Sequence, residues 1–369
     1  MTTVSDAPAL TFERTLNPTP ATAAQRDEVL ANPGFGIHFS DHMVAIDWTI
    51  EAGWHDARLQ PYGPLQFDPG SAVLHYGQEV FEGLKAYRHD DGSIWTFRPE
   101  KNAQRLQRSA RRLALPELPV DDFLASLKQI VAVDAAWVPP GEDGSLYLRP
   151  FMIANETFLG VRAAHTVAYY VIASPAGPYF SGGVTPVSIW LSTEYSRAGR
   201  GGTGAAKCGG NYAASLLPQE EALQNGCSQV LFLDAETGQH VDELGGMNVF
   251  FVVGGDTLVT PATSGSILEG VTRDSVIQLA KDRGLTVEER DITLDEWRDG
   301  VDSGRITEVF ACGTAAVITP IAQVKSRDFV IGAPDAVAGE ITMSLRKELT
   351  DIQHGRAEDR HGWLYRLDA

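Results

Sequence analysis

Gly201-Gly202-Thr203-Gly204-Ala205-Ala206-Lys207-Cys208-Gly209-Gly210-Asn211-Tyr212 sets one lysine among five glycines, with a tyrosine five residues beyond it. Glycine lets a backbone approach a ligand closely and adopts φ values that other residues avoid. A lysine flanked by small uncharged residues loses hydration, and with it part of its preference for the ammonium form. A partly neutral amine attacks a carbonyl and forms a Schiff base. A phosphate loop of the Walker type requires Gly directly before the lysine and Ser or Thr directly after it. Ala206 and Cys208 occupy those places, so that reading fails on both sides. Taken alone, the segment also reads as a flexible surface loop that carries a lysine.

The rest of the chain narrows the choice. At 369 residues it is long enough for two domains with substantial cores. A net charge of −18 argues against a broad nucleic-acid or anionic-membrane surface. Cys208, Cys227 and Cys312 are odd in number and far apart, which fits a reducing, cytoplasmic setting better than a disulfide framework. Residues 1–20 lack the pattern of a secretory signal. No run approaches the roughly 18 apolar residues of a membrane span. The nine histidines show no metal-binding spacing, and no metal is assigned.

Residues 1–30, rich in Ala, Thr and Pro, are expected to form a partly ordered arm. Strands are expected at Gly36–Phe39 and Met43–Trp48, and a hairpin pairs Leu84–Arg88 with Ser93–Phe97 around His89-Asp90-Asp91-Gly92. Pro99–Arg112 reads as a basic helix and Val120–Ala136 as an amphipathic one. Strands return at Leu146–Ile153 and Thr166–Ala173, and the prolines and glycine of Ser174–Tyr179 break the pattern. Beyond the break, Asn211–Asn225, Arg273–Arg283 and Ala336–His354 read as helices. Gln229–Leu233, His240–Glu243, Asn248–Val253 and Thr257–Val259 read as strands. The expectation is α+β: a small domain over residues 31–173, a connection over 174–187 and a large ligand-binding domain over 188–369, with mixed or antiparallel sheets and flanking helices.

Four segments give the lysine company. Leu268–Ser275 runs a glycine turn into a helix, where unpaired N–H groups and the dipole suit a phosphate, although the segment also serves as a plain cap. Ala311–Ala316 follows an apolar strand with small residues whose amides can face an anion, or simply turn the chain. Asp242-Glu243 leads into Val249–Val253, and a carboxylate in such surroundings needs a cation or takes up a proton. Arg98, Arg105, Arg108, Arg111 and Arg112 crowd one helix; most suit surface ion pairs, and one turned inward suits a phosphate. A Schiff-base lysine, a phenol, a carboxylate for a ring nitrogen and a phosphate cup together match the needs of pyridoxal 5′-phosphate.

With these residues in view, the chain resembles the branched-chain amino-acid aminotransferases of the fold-type IV pyridoxal-phosphate class. The resemblance rests on His75–Tyr87, Leu146–Pro150, Lys207–Tyr212, Glu243–Asn248 and Gly270–Arg273, in the family's order between about Phe35 and Ala315. It implies that Lys207 bonds the cofactor and shuttles a proton. It also implies that Tyr212 meets the cofactor's phenolic oxygen and that Glu243 keeps its ring nitrogen protonated. Arg105, Val271, Thr272 and Thr314 match the phosphate-binding positions. Phe35, Tyr76, Phe81, Tyr147 and Tyr179 are implied to line the substrate pocket, with Gly313 and Ala315 near the α-carboxylate and Arg149 receiving a distal one.

The resemblance further implies a homodimer acting on amino acids and 2-oxo acids. Ala316 and Thr319 stand where some members carry a Cys-x-x-Cys pair, and Gly246 stands where many carry threonine. A D-amino-acid aminotransferase, an aminodeoxychorismate lyase and a catalytically silent cofactor carrier remain alternatives.

Overall fold

The computed structural model describes residues 9–141, 144–177 and 183–369. They fall into two units, one ending at Gly177 and completed by Arg360–Ala369, the other spanning Pro178–Asp359.

The first unit is built on one sheet whose strands lie in the order Glu13–Arg14, Gly53–Pro61, His42–Thr49, Thr166–Ala176, Ser145–Ala154, Leu84–Arg88, Ile94–Phe97 and Leu364–Arg366. Glu79–Phe81 pairs alongside Ser145–Ala154. Strand Ser145–Ala154 shows the period of two: Leu146, Leu148 and Met152 are fully buried, whereas Tyr147, Arg149 and Phe151 are half-buried on the other face. Phe81 lies directly opposite Phe151, so it shares the face of Tyr147 and Arg149. Helix Pro99–Arg112 turns Ala103, Leu106 and Ala110 inward and leaves Arg108, Arg111 and Arg112 exposed.

Three expectations need correcting here. Residues 9–30, the described part of the arm expected to be only partly ordered, are held to the first unit. The Leu10 amide donates to Asp122 (3.0 Å), the Asn17 amide to His42 (2.8 Å) and the Ala21 amide to Asp41 (2.8 Å). Thr22 and Gln25 then form a reciprocal cap on helix Ala23–Ala31. Gly36–Phe39 is no strand, because Gly34 and Gly36 take positive φ and turn the chain. Ser174–Ala176 completes strand Thr166–Ala176, so the break falls after Ala176 rather than at Ser174. The last ten residues return to the first unit, where Leu364–Arg366 pairs with Ile94–Phe97.

The second unit holds a mixed sheet in the order Val241–Leu244, Gln229–Leu233, Val187–Leu191, Val317–Lys325, Ile306–Gly313, Asn248–Val253, Thr257–Thr260 and Thr286–Glu289. Strand Asn248–Val253 is apolar on both faces because both are covered. Phe250 stacks on Phe310 (5.1 Å) on one side, and Phe251 meets the edge of Trp297 (4.9 Å) on the other. The stretch 211–225, expected as one helix, is split into Gly209–Ala213 and Leu216–Gln224. Pro218 causes the break, since its ring excludes the carbonyl four residues back and it lacks an N–H.

The helix expected from Ala336 begins only at Glu340. Glu308, reaching from the neighbouring strand, accepts from the amides of Ile341 (3.1 Å) and Thr342 (2.8 Å) and from the Thr342 hydroxyl (2.6 Å). A side chain at Gly339 would collide with the Glu308 carboxyl, the added Cβ lying 1.9 Å from its Cδ. Glu308→Ala is therefore expected to destabilise this unit by about 1–2 kcal/mol, the scale of a lost N-terminal cap. Thermal unfolding should show a midpoint lowered by a few degrees.

Candidate active site

In the second unit, Lys207 closes a loop that Asn211 holds in place. The Asn211 amide donates to the carbonyls of Thr203 and Ala206 (both 2.8 Å) and accepts from the Thr203 hydroxyl (2.7 Å). One short helical turn, Gly209–Ala213, then brings Tyr212 back over the lysine. Lys207 Nζ lies 2.6 Å from the Tyr212 hydroxyl and 4.9 Å from its ring centre. The loop packs tightly on Ser266, where a Cβ at Gly204 would fall 2.1 Å from the carbonyl oxygen. Gly204→Ala must shift one backbone against another. It is expected to cost about 1–3 kcal/mol, the range for overpacking, in thermal unfolding.

Glu243 sits in strand Val241–Leu244 and is 2 % exposed. Its Oε1 lies 2.7 Å from Arg197 Nη1 and accepts from the Leu268 amide (2.9 Å), and among the described residues Oε2 takes only a long contact from Asn248 Nδ2 (3.4 Å). Burial dominates and pushes the carboxyl up from 4.5 to about 7. Arg197, the Leu268 amide and the Lys207 charge work against that rise, and Asp242 adds to it. The result is a buried carboxyl that is not fully ionised at neutral pH and gains from a further cationic partner.

Asn248 ties this carboxyl to the next segment. It donates to the Leu268 carbonyl (3.0 Å), and a Cβ at Gly270 would fall 2.1 Å from its Oδ1. Gly270 caps helix Val271–Asp282 without a side-chain bond, so the helix opens with the amides of Val271 and Thr272. The turn Gly313-Thr314-Ala315 joins strands Ile306–Gly313 and Val317–Lys325, with Cys312 opposite Asn248. A Cβ at Gly313 would meet Met247 Cγ at 3.1 Å and the Gly246 carbonyl at 3.4 Å, and one at Gly246 would reach Tyr212 Cε1 at 3.8 Å. Lys207, Tyr212, Glu243, Gly270 and Gly313 are thus linked through a chain of close contacts within one unit, and Val271, Thr272, Thr314 and Ala315 follow Gly270 and Gly313 directly in the chain.

The first unit assembles a second group. Arg149 stacks on Phe81 (4.7 Å) and Tyr147 (5.3 Å), and it donates to the Tyr147 hydroxyl (3.1 Å). Phe35 meets Tyr147 edge-on at 5.0 Å. Arg149 Nε is buried without a hydrogen-bond partner among the described residues. Gly83 lies beneath Tyr147, where a Cβ would fall 1.9 Å from its hydroxyl. Arg105 is the inward arginine of its helix. Its Nε and Nη2 hold the fully buried Glu82 at 2.7 and 2.9 Å, and Asn102 adds a third donor at 2.7 Å. Tyr76 does not join the aromatic group; it is 41 % exposed and its hydroxyl donates to the Leu159 carbonyl. Tyr179 lies outside the described residues.

Arg197, Asn211, Asn248 and Glu82 were given no role from sequence. Asn211, Asn248 and Glu82 lie inside motifs quoted above, yet residue type alone does not reveal a bracing role. Arg197 lies in Tyr195-Ser196-Arg197, where no local pattern marks it.

Against this geometry, a class IV aminotransferase family model matches residues 79–324, and the chain belongs to that family. It is similar to the branched-chain-amino-acid aminotransferase of Mycolicibacterium smegmatis, 60 % identical over 363 residues, which cover 97 % of this chain and 99 % of that protein. The protein of the same name from Mycobacterium tuberculosis is 59 % identical over 352 residues, 94 % of this chain and 96 % of that one. Among solved structures, the Escherichia coli branched-chain amino acid aminotransferase aligns with a TM-score of 0.72 at 27 % identity, over 87 % of this chain and 99 % of that one. The T.th. branched-chain amino acid aminotransferase solved with pyridoxamine 5′-phosphate aligns with a TM-score of 0.73 at 29 % identity, over 88 % and 99 %.

Proposed function

We propose that this protein is a branched-chain L-amino-acid aminotransferase that uses pyridoxal 5′-phosphate to move the amino group between leucine, isoleucine or valine and 2-oxoglutarate. The observation that carries the proposal is the set of Lys207 against Tyr212, a buried Glu243 whose Oε2 takes a long contact of 3.4 Å from Asn248, and a helix opening at Gly270. The residues fit the cofactor: an amine for its aldehyde, a phenol, an acid for its ring nitrogen and backbone donors for its phosphate. Held by these residues, the cofactor would supply an acceptor for the amino group and an electron sink for the pair left at the substrate Cα.

The chain's own residues do the rest. Lys207 carries a proton to and from the substrate Cα, general acid–base work worth typically ~10²–10⁴-fold. The Tyr212 hydroxyl, 2.6 Å away, steadies that amine and would meet the cofactor's phenolic oxygen. Glu243 keeps a positive charge on the ring nitrogen. Val271, Thr272 and Thr314 are assigned to the phosphate, and Arg105 keeps that assignment by resemblance, its guanidinium fixed by Glu82.

Phe35, Phe81 and Tyr147 are assigned to the aliphatic side chain, together with Tyr76 and Tyr179 by resemblance. Gly313 and Ala315 are assigned to the α-carboxylate. Arg149, held on two aromatic faces with an unspent Nε, suits the distal carboxylate of glutamate. An apolar pocket separates substrates that differ by one methylene by only ~1–3 kcal/mol, so acceptance of all three branched chains follows.

A homodimer is part of the proposal. Leu74, Tyr76, Leu159 and Val161 are exposed, Val161 to 88 %, and suit burial against a second copy. Light scattering at the mass of two chains supports it, and a monomer contradicts it. A cytoplasmic setting accords with three buried free cysteines. Among the described residues no helix is long and apolar enough to cross a membrane. Donor profiling tests the activity: with 2-oxoglutarate, L-leucine, L-isoleucine and L-valine should yield glutamate, whereas D-alanine and aminodeoxychorismate should not react. Preference for either of the latter contradicts the proposal.

A further inference from the structure

We propose that Arg197 is the positioning residue of Glu243: it takes one carboxylate oxygen out of play so that the other faces the cofactor's ring nitrogen. The inference rests on the function proposed above, and three observations support it. Arg197 is 5 % exposed, and its Nη1 lies 2.7 Å from Glu243 Oε1, the same oxygen that accepts the Leu268 amide. Oε1 is therefore saturated, and Oε2, with only the 3.4 Å contact from Asn248, is the oxygen left to accept a strong hydrogen bond.

The same Nη1 donates to the Ser266 carbonyl (3.1 Å) and the Gly204 carbonyl (3.4 Å). Those carbonyls belong to the lysine loop and to the segment leading into the helix at Gly270, pressed together where Gly204 meets Ser266. One guanidinium thus registers the carboxylate, the lysine loop and the approach to the phosphate cup against one another. All three contacts come from the one terminal nitrogen Nη1, fixed at the end of a rigid planar guanidinium, whereas a lysine ammonium is a mobile point charge on a flexible stem.

Charge adds a second role. Burial favours the neutral acid at position 243, and the groups that bear on it are Arg197, Lys207, Asp242, the Asn248 amide and the Leu268 N–H. Arg197 is the nearest cation to the carboxylate. Removing it leaves a neutral acid favoured, which binds a pyridinium poorly.

The test uses the full chain, stripped of cofactor and reloaded, as Arg197→Gln (charge lost, a donor kept) and Arg197→Lys (charge kept, rigid planar group lost). In the cofactor-free protein, infrared titration follows the Glu243 carboxyl band, assigned as the band that Glu243→Gln removes. Arg197→Gln should raise its midpoint by about 1–3 pH units, the span that a neighbouring arginine imposes on a carboxyl. Its affinity for pyridoxal 5′-phosphate should fall, and fall further as pH is lowered. An unmoved midpoint, or parental affinity at every pH, overturns the proposal.

Arg197→Lys carries the test should Arg197→Gln not fold. Its midpoint should stay within about one unit of the parent's while affinity falls, and unchanged affinity overturns the proposal. Glu243→Gln separates the two levels. If that variant binds cofactor and turns over normally, the role given to Glu243 fails. If it is impaired while both Arg197 variants behave as the parent, only the role of Arg197 fails.

Discussion

Lys207→Ala should abolish measurable transamination, with kcat falling by at least the ~10²–10⁴-fold typical of losing a general acid–base group. The true loss should exceed that range, because the same amine is assigned to bond the cofactor. The side chain is half-buried, its amine lies 2.6 Å from the Tyr212 hydroxyl, and its charge bears on Glu243. Cofactor affinity should fall less than turnover, since the backbone donors near Gly270 and the carboxyl of Glu243 survive the substitution. Single-turnover assays with L-leucine beside equilibrium dialysis of the cofactor separate the two effects. Activity near that of the parent would remove Lys207 from its role.

Glu243→Gln is expected to have the second-largest effect. A glutamine keeps the shape but cannot hold a positive charge on a ring nitrogen, so the ring accepts the substrate's electron pair poorly. One preorganised electrostatic contact in a buried site is worth about 10²–10³-fold in kcat. A pH signature should accompany it. The folded carboxyl is raised from 4.5 to about 7, so between those values the folded, cofactor-free protein holds a proton that the unfolded chain has lost. Its stability should therefore fall as pH rises from 4.5 towards about 7. Loading the cofactor supplies a second cation and should reduce the decline; in the cofactor-free protein Glu243→Gln should remove its upper part, between about 6 and 7, leaving the lower part to Asp242, which is raised from 3.8 to about 6. Melting temperatures taken across that window test both, and a decline above about pH 6 that survives in the glutamine variant would assign it to another group.

The site was more legible in the sequence than the fold around it. Lys207, Tyr212, Glu243 and the turn at Gly270 announce themselves by residue type in unusual surroundings, and those surroundings are local. Arg197 was not legible, because its meaning comes from Glu243, Gly204 and Ser266, which only the folded second unit brings to one guanidinium. Arg105 shows the same limit: its helix was evident, but its bidentate hold on Glu82 depends on how that helix packs. Strands with a clear alternation, such as Ser145–Ala154, followed from periodicity.

Element boundaries that differ from the periodicity have tertiary causes in some places and a local one at Pro218. Glu308 decides that the last helix starts at Glu340, and Pro218 divides what periodicity joined. The order of residues 9–30 depends on His42, Asp41 and Asp122, all distant in sequence from the amides they hold. Helix Leu294–Asp302 carried a legible start, Thr293 accepting from the Glu296 amide at 3.0 Å, yet its short apolar pattern did not stand out.

Borohydride reduction of the cofactor-loaded protein, followed by peptide mass mapping, addresses the central assignment most directly. The account predicts a single phosphopyridoxyl adduct on Lys207, within the peptide that also contains Tyr212. An adduct on another lysine, or none on a protein that still turns over L-leucine, would contradict it.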